Sequence, residues 1–336
     1  MKPPLTMIAR AASAFDHWVR DPVDPRPLAW FRSWLGLLSL VNLWLLWSDM
    51  PMWLGNDGVI PPDVHRGMVG GDRLSIYLVT GYSVAAVGLI RLLGLVGGLG
   101  LWLGIFPRCA AACAWLAATS YSWRNMEILH SGDTLIRIGT FFLIFARSDG
   151  ALSLPRAVRR YVSTPAGQPP EDSRRLVPAW PQRVLQLQLC VVYLTAAVWK
   201  ALGPTWRNGT AVGIVLQLGE FQRFPIPDFL LTQEASRVMT YGTLAFEFGF
   251  PLLVWFPRLR LPVLLAGLAF HAGLDWVMNV QLFQWLITAS YLLWLGPPVS
   301  PSPASSAPMS APACSAPPAP RAPRSSSSPA PCRARR

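Results

Sequence analysis

The sequence predicts an all-α, polytopic transmembrane helix bundle of about eight spans, followed by a disordered cytoplasmic tail. Three observations lead there. Apolar residues make up 52% of the 336 positions and charged residues only 14%, where a soluble domain carries roughly a quarter charged. The mean hydropathy is +0.35. The apolar residues are gathered into long runs, and the arginines into the segments between them.

A hydrocarbon core of about 30 Å needs roughly 20 apolar helical residues. Runs of that kind lie near 28–48, 74–105, 109–123, 131–147, 182–202, 236–256, 260–277 and 281–296. The second is overlong and interrupted by Arg91, which predicts a tilted or bent helix. Residues 1–27 are polar and proline-broken, unlike a cleavable signal peptide, and read as a cytoplasmic N-terminal segment. Residues 28–296 form the membrane domain. Residues 297–336 are Pro/Ser/Ala low complexity with scattered arginine, too poor in apolar surface to offset chain entropy. The 16 tryptophans suit a protein with two membrane–water interfaces.

Charge fixes the expected orientation. The 49–73 segment holds four aspartates against two arginines, whereas the 147–183 segment holds seven arginines against three acids. Arg258 and Arg260 mark the 257–260 turn, and the tail carries five arginines and no acid. Eight spans with both termini in the cytoplasm put every Arg-rich segment inside, in accord with the positive-inside rule. The net charge of +12 is therefore a topology signal, and nucleic acid is not an expected partner. Arg156, Arg159 and Arg160 beside Leu and Val predict a short helix on the inner leaflet. The apolar stretch 210–218 reads as interfacial or re-entrant. The five cysteines have neither disulfide-framework nor zinc-ligand spacing, and no metal is expected.

Ionisable groups within spans are costly and are functional candidates by default. Lys200 ends the run VVYLTAAVWK. Two readings stand: its amine snorkels to the headgroups, or it loses its proton and acts as a base, which Arg cannot do. Lys2 and Lys200 are the only lysines beside 27 arginines, so a lysine kept here is notable. His130 opens the fourth run on the same expected outer side. His271 and Asp275 are one turn apart in the seventh run, and that carboxylate could fix the imidazole tautomer. Asn279 follows at the outer turn. Asp133 and Arg137 are spaced for an ion pair, and Glu247 and Arg91 fall at a similar expected depth.

Several blocks in order, DPRPLAWFRSWLGLL, WSDMPMWLGNDGVIP, RNMEILHSGDTLIRIGTFFLIFARSDGALSL, LQLQLCVVYLTAAVWKALGPTWRNGT and MNVQLFQWL, resemble the HTTM (horizontally transferred transmembrane domain) family. This is the membrane module of vitamin K-dependent gamma-carboxylase, and the resemblance spans roughly 20–296. It implies oxidation of a reduced quinone, vitamin K hydroquinone-like, at the extracytoplasmic face. Lys200 would be the catalytic base and His130 its catalytic partner. His271, Asn279, Asn125 and Trp206 are the corresponding candidates for substrate binding. The expected function is a quinol-dependent oxidoreductase or carboxylase-like enzyme of the cell membrane. Residues 297–336 do not resemble the carboxylase's large lumenal domain. This keeps a second expectation open: a non-catalytic membrane partner that binds or matures a secreted peptide.

Overall fold

The computed structural model describes residues 4–69, 73–163 and 176–296. The tail expected to be disordered, 297–336, lies outside them. The described residues are helical nearly throughout. In chain order the helices are α1 (Pro4–Arg20), α2 (Arg26–Leu46), α3 (Met50–Leu54), α4 (Pro62–Val69), α5 (Tyr77–Thr80), α6 (Val84–Leu103), α7 (Pro107–Arg124) and α8 (Ser131–Phe145). There follow α9 (Leu154–Ser163), α10 (Trp180–Leu202), α11 (Pro204–Arg207), α12 (Ala211–Leu216), α13 (Gln233–Leu253), α14 (Pro257–Val277) and α15 (Phe283–Ser290). One antiparallel strand pair, Pro22–Val23 with Val177–Pro178, joins the segments before α2 and α10.

Local chemistry sets the helix ends. Proline occupies the first turn of α2, α3, α7, α10, α11 and α14, where its fixed φ is helical and its missing N–H would have had no partner. Ser83 caps α6 by accepting from the Ala86 N–H, and Thr232 caps α13 by accepting from Ala235. Gly104 closes α6 in the left-handed region, with φ +67°.

The overlong 74–105 run is broken, and not at Arg91 as its charge implied. The chain turns at Gly81, φ +60°, and α6 starts afresh at the Ser83 cap. Arg91 stays inside α6, with its guanidinium 4.8 Å from the Trp47 ring and a hydrogen bond to the Trp47 carbonyl. By length and composition, α2, α6 and α10 are each able to cross a membrane. Large apolar side chains such as Trp44, Val96, Val191, Leu252 and Leu265 face outward. A continuous apolar exterior of this kind is costly in water and favourable in lipid.

Helix α6 lies against α2 and α7, α7 against α8, and α10 against α13. The α6–α7 seam depends on small residues: a Cβ at Gly97 would stand 2.4 Å from the Ala114 backbone nitrogen. Backbones approach this closely only without side chains between them, a recurrent device in membrane helices. At one end of the bundle, Arg32 is fully buried and donates to the carbonyls of Ser148 (3.0 Å) and Leu152. Arg183 and Trp255 pack on Trp18 at that same end. The loops before α4, after α12 and after α14 gather at the opposite end. Helix α9 forms as expected, with Leu154, Val158, Tyr161 and Val162 exposed. The 210–218 stretch is a single short helix, α12, whose first amides donate to Thr240 and Ser236 of α13.

Candidate functional site

Two polar assemblies occupy the end opposite Arg32. The first starts at Lys200, in the last turn of α10. Its amine donates to both carboxylate oxygens of Glu247 on α13, at 2.6 and 2.8 Å. Glu247 is buried at 5% exposure. Leaving a buried carboxylate without a counter-charge is costly, which explains why the amine turns toward α13. After the Gly203 turn, α11 brings the Trp206 ring to 5.4 Å from the same amine, within cation–π range.

Two turns earlier on α10, Tyr193 presents its hydroxyl to His271 Nε2 at 2.6 Å and to the Tyr291 hydroxyl. His271 Nδ1 meets the side-chain oxygen of Gln284. An amide oxygen only accepts, so Nδ1 carries the ring proton and Nε2 accepts from Tyr193. Phe250 packs on the Tyr193 ring at 4.4 Å. Along the α10–α13 seam, then, the Lys200–Glu247 pair sits one step beyond a buried Tyr193–His271–Gln284 chain, without direct contact between Lys200 and His271.

The second assembly lines a cavity of about 650 Å³. Asp133 accepts from the Tyr121 hydroxyl at 2.7 Å and from the Asn42 amide at 3.2 Å. It also accepts from the His130 backbone N–H at 3.0 Å. His130 returns the favour as the cap of α8, its Nδ1 accepting from Gly132 at 2.9 Å. With Nδ1 accepting, Nε2 is left as the ring's donor. Trp53, Trp285 and Asn279 complete the walls used here.

The structure brings some expected site residues together and separates others. His130 and Asn279 share the cavity, and Lys200 and Trp206 share the Glu247 pair. Lys200 and His271 are not among the residues that line this cavity. Asn125 is almost fully buried, and its amide is spent on backbone, accepting from the Glu127 N–H of its own turn and donating to the Trp53 carbonyl of α3. Asp275 does not orient His271. It pairs with Arg223 at 2.7 Å, because the loop after α12 folds over the end of α14. Arg137 lies over the Trp123 ring while Tyr121 and Asn42 hold Asp133. Glu247 pairs with Lys200 rather than Arg91, since α13 packs on α10. Sequence reasoning missed Tyr193, Gln284 and Tyr291. The available signal was their polarity within otherwise apolar runs.

Helices apolar and long enough to cross a membrane, with large apolar side chains on the outside, are the features of a helical membrane protein. The family model of the HTTM domain matches residues 74–298, and the chain belongs to that family. The match covers α5 through α15 and includes Lys200, His130, Glu247 and His271. No curated protein and no solved structure matches the chain.

Proposed function

We propose that this protein is an eight-span enzyme of the cell membrane, carboxylase-like and dependent on a reduced quinone, with its site at the extracytoplasmic face and both termini in the cytoplasm. The observation that carries the reading is the Lys200–Glu247 pair, 2.6 Å apart, in which Glu247 is buried and Lys200 partly so. Replacing such a pair by packed apolar residues is often neutral or stabilising, so keeping it calls for a chemical reason. A carboxylate in direct contact can take the amine's proton and leave a neutral base, an option closed to arginine.

The eight-span arrangement is supported by helices in all eight apolar runs and by the clustering of Arg32, Arg183 and the α9 arginines away from the aspartates of 49–63. The cavity beside His130 fits a quinol head group in size and chemistry. Its aromatic walls offer stacking surface, and Asn42, His130 and Tyr121 offer polar contacts, the pattern of small-molecule sites generally. A bound hydroquinone would supply the reducing equivalents. The protein's own share is to orient it through the Asp133-anchored His130 and to move a proton through Lys200 and Glu247.

One observation favours a second reading, a non-catalytic partner for a secreted peptide. The Lys200 amine is engaged by Glu247 and Trp206 and does not line the cavity. Oxygen uptake by the purified protein in mild detergent, supplied with a reduced naphthoquinone, separates the two. Uptake that depends on both Lys200 and the quinol supports the enzyme. Tight quinone-independent peptide binding, with no uptake, leaves the partner reading.

A further inference from the structure

A second cavity, of about 430 Å³, lies among α4, the α5–α6 turn and the end of α7. It shares no lining residue with the cavity at His130. Arg66, Arg73 and Arg124 line it together with His65, and no acid does so among the described residues. Tyr82 and Trp123 form aromatic walls that hold these cations in place. Arg66 and Arg124 stand 5.9 and 5.1 Å from the Tyr82 ring, and Arg73 stands 4.0 Å from the Trp123 ring.

Arg124 forms the enclosed side of the cavity. It is fully buried, and its Nε and Nη2 are committed to the carbonyls of Leu54, Gly55 and Ile60. Its Nη1 has no acceptor. That nitrogen is enclosed, so Arg124 acts on the cavity through its charge and not as a hydrogen-bond donor to its contents. His65 is oriented beside it: Nε2 donates to the Trp123 carbonyl at 2.6 Å, and Nδ1 meets the Tyr82 hydroxyl at 2.8 Å. Guanidinium groups converging on a cavity of this size suit a tetrahedral oxyanion, which accepts from several donors at once.

We propose that this cavity binds a phosphate group, with the exposed Arg66 as its direct ligand, Arg124 adding charge from the enclosed side and His65–Tyr82 as the supporting wall. Two sources share that chemistry: a phospholipid head group at the membrane surface, and a soluble phosphate.

The test is thermal unfolding of the full chain in detergent at constant ionic strength. The probes are sodium phosphate, a short-chain phosphatidylglycerol, and sodium chloride as the screening control. Stabilisation by phosphate beyond chloride supports the site and a soluble source. Stabilisation by phosphatidylglycerol alone supports the site and a lipid source. Arg124 also clamps three loop carbonyls, so Arg124→Gln would confound binding with folding. The exposed Arg66 is therefore the residue to change. Arg66→Gln should weaken the response at least about tenfold and Arg66→Glu should abolish it, as the loss or reversal of a close charge requires. Equal responses to phosphate, phosphatidylglycerol and chloride would overturn the proposal. So would Arg66→Glu behaving as wild type.

Discussion

The amine of Lys200 and the carboxylate of Glu247 meet across the α10–α13 seam at 2.6 and 2.8 Å, with the carboxylate almost wholly enclosed. The two members are unequal, because the Lys200 side chain keeps 28% of its exposure against 7% for Glu247. Removing the amine should therefore hurt more than removing the carboxylate. Lys200→Met is expected to approach the roughly 3–5 kcal/mol seen for broken buried pairs, and Glu247→Gln to cost less. The double variant Lys200→Met/Glu247→Leu should recover most of the loss in Tm. A double variant no more stable than Lys200→Met would refute this account of the pair.

Activity should separate from stability at the same position. Lys200→Arg keeps a cation beside Glu247 and should hold Tm near wild type. It should nevertheless lose quinol-dependent oxygen uptake as fully as Lys200→Ala, because a guanidinium does not release its proton. Full activity in Lys200→Arg would eliminate the proposed base.

At the His130 cavity, Tyr121→Phe deletes one of the donors to buried Asp133 and should cost about 1–3 kcal/mol, the usual range for an unsatisfied buried group. Asp133→Asn should cost more, since it also weakens the cap at His130. In both variants the quinol KM should rise before kcat falls, because His130 loses its anchor. The measurement is the KM-against-kcat split at matched expression.

Glycines in α6 give a packing contrast. A Cβ at Gly97 would press on the Ala114 backbone, whereas one at Gly88 meets nothing within 4 Å. Gly97→Val should abolish the folded protein in detergent. Gly88→Ala should be neutral or gain up to about 1 kcal/mol from helix propensity. Size-exclusion profiles of the two variants would decide it.

Topology is checked with introduced cysteines. Asn56→Cys should react with an impermeant thiol reagent in intact cells, and Ser173→Cys and Ser305→Cys should not. Labelling at Ser305→Cys alone would reduce the spans to an odd number.

Helices were legible in the sequence because a long apolar run has few alternatives once its length approaches a bilayer. The break at Gly81 was harder to see. A turn of three residues barely dents a hydropathy run, although Gly81 and the capping Ser83 were visible as signals. Side-chain partners were the least legible. Position along a run gives a residue's height in the bundle but not the helix it faces, so Glu247 was matched to Arg91 by depth when α13 in fact packs on α10. The i, i+4 spacing placed Asp275 on the His271 face, yet a loop residue far away in sequence, Arg223, took it. Lys200 and His130 were identifiable from charge and position alone. Their separation into two assemblies depended on contacts between helices that no run of residues encodes.

Arg32 has a consequence for how the chain is made. Its guanidinium sits in a socket built from the carbonyls of Ser148 and Leu152, closed by Gly104, where any Cβ would collide with it. The first wall of that socket is synthesised 116 residues after the arginine. At about 5–20 residues per second, the charge on α2 waits roughly 6–23 s for its seat. The seat of Arg32 is therefore complete only after the loop that follows α8 has been made.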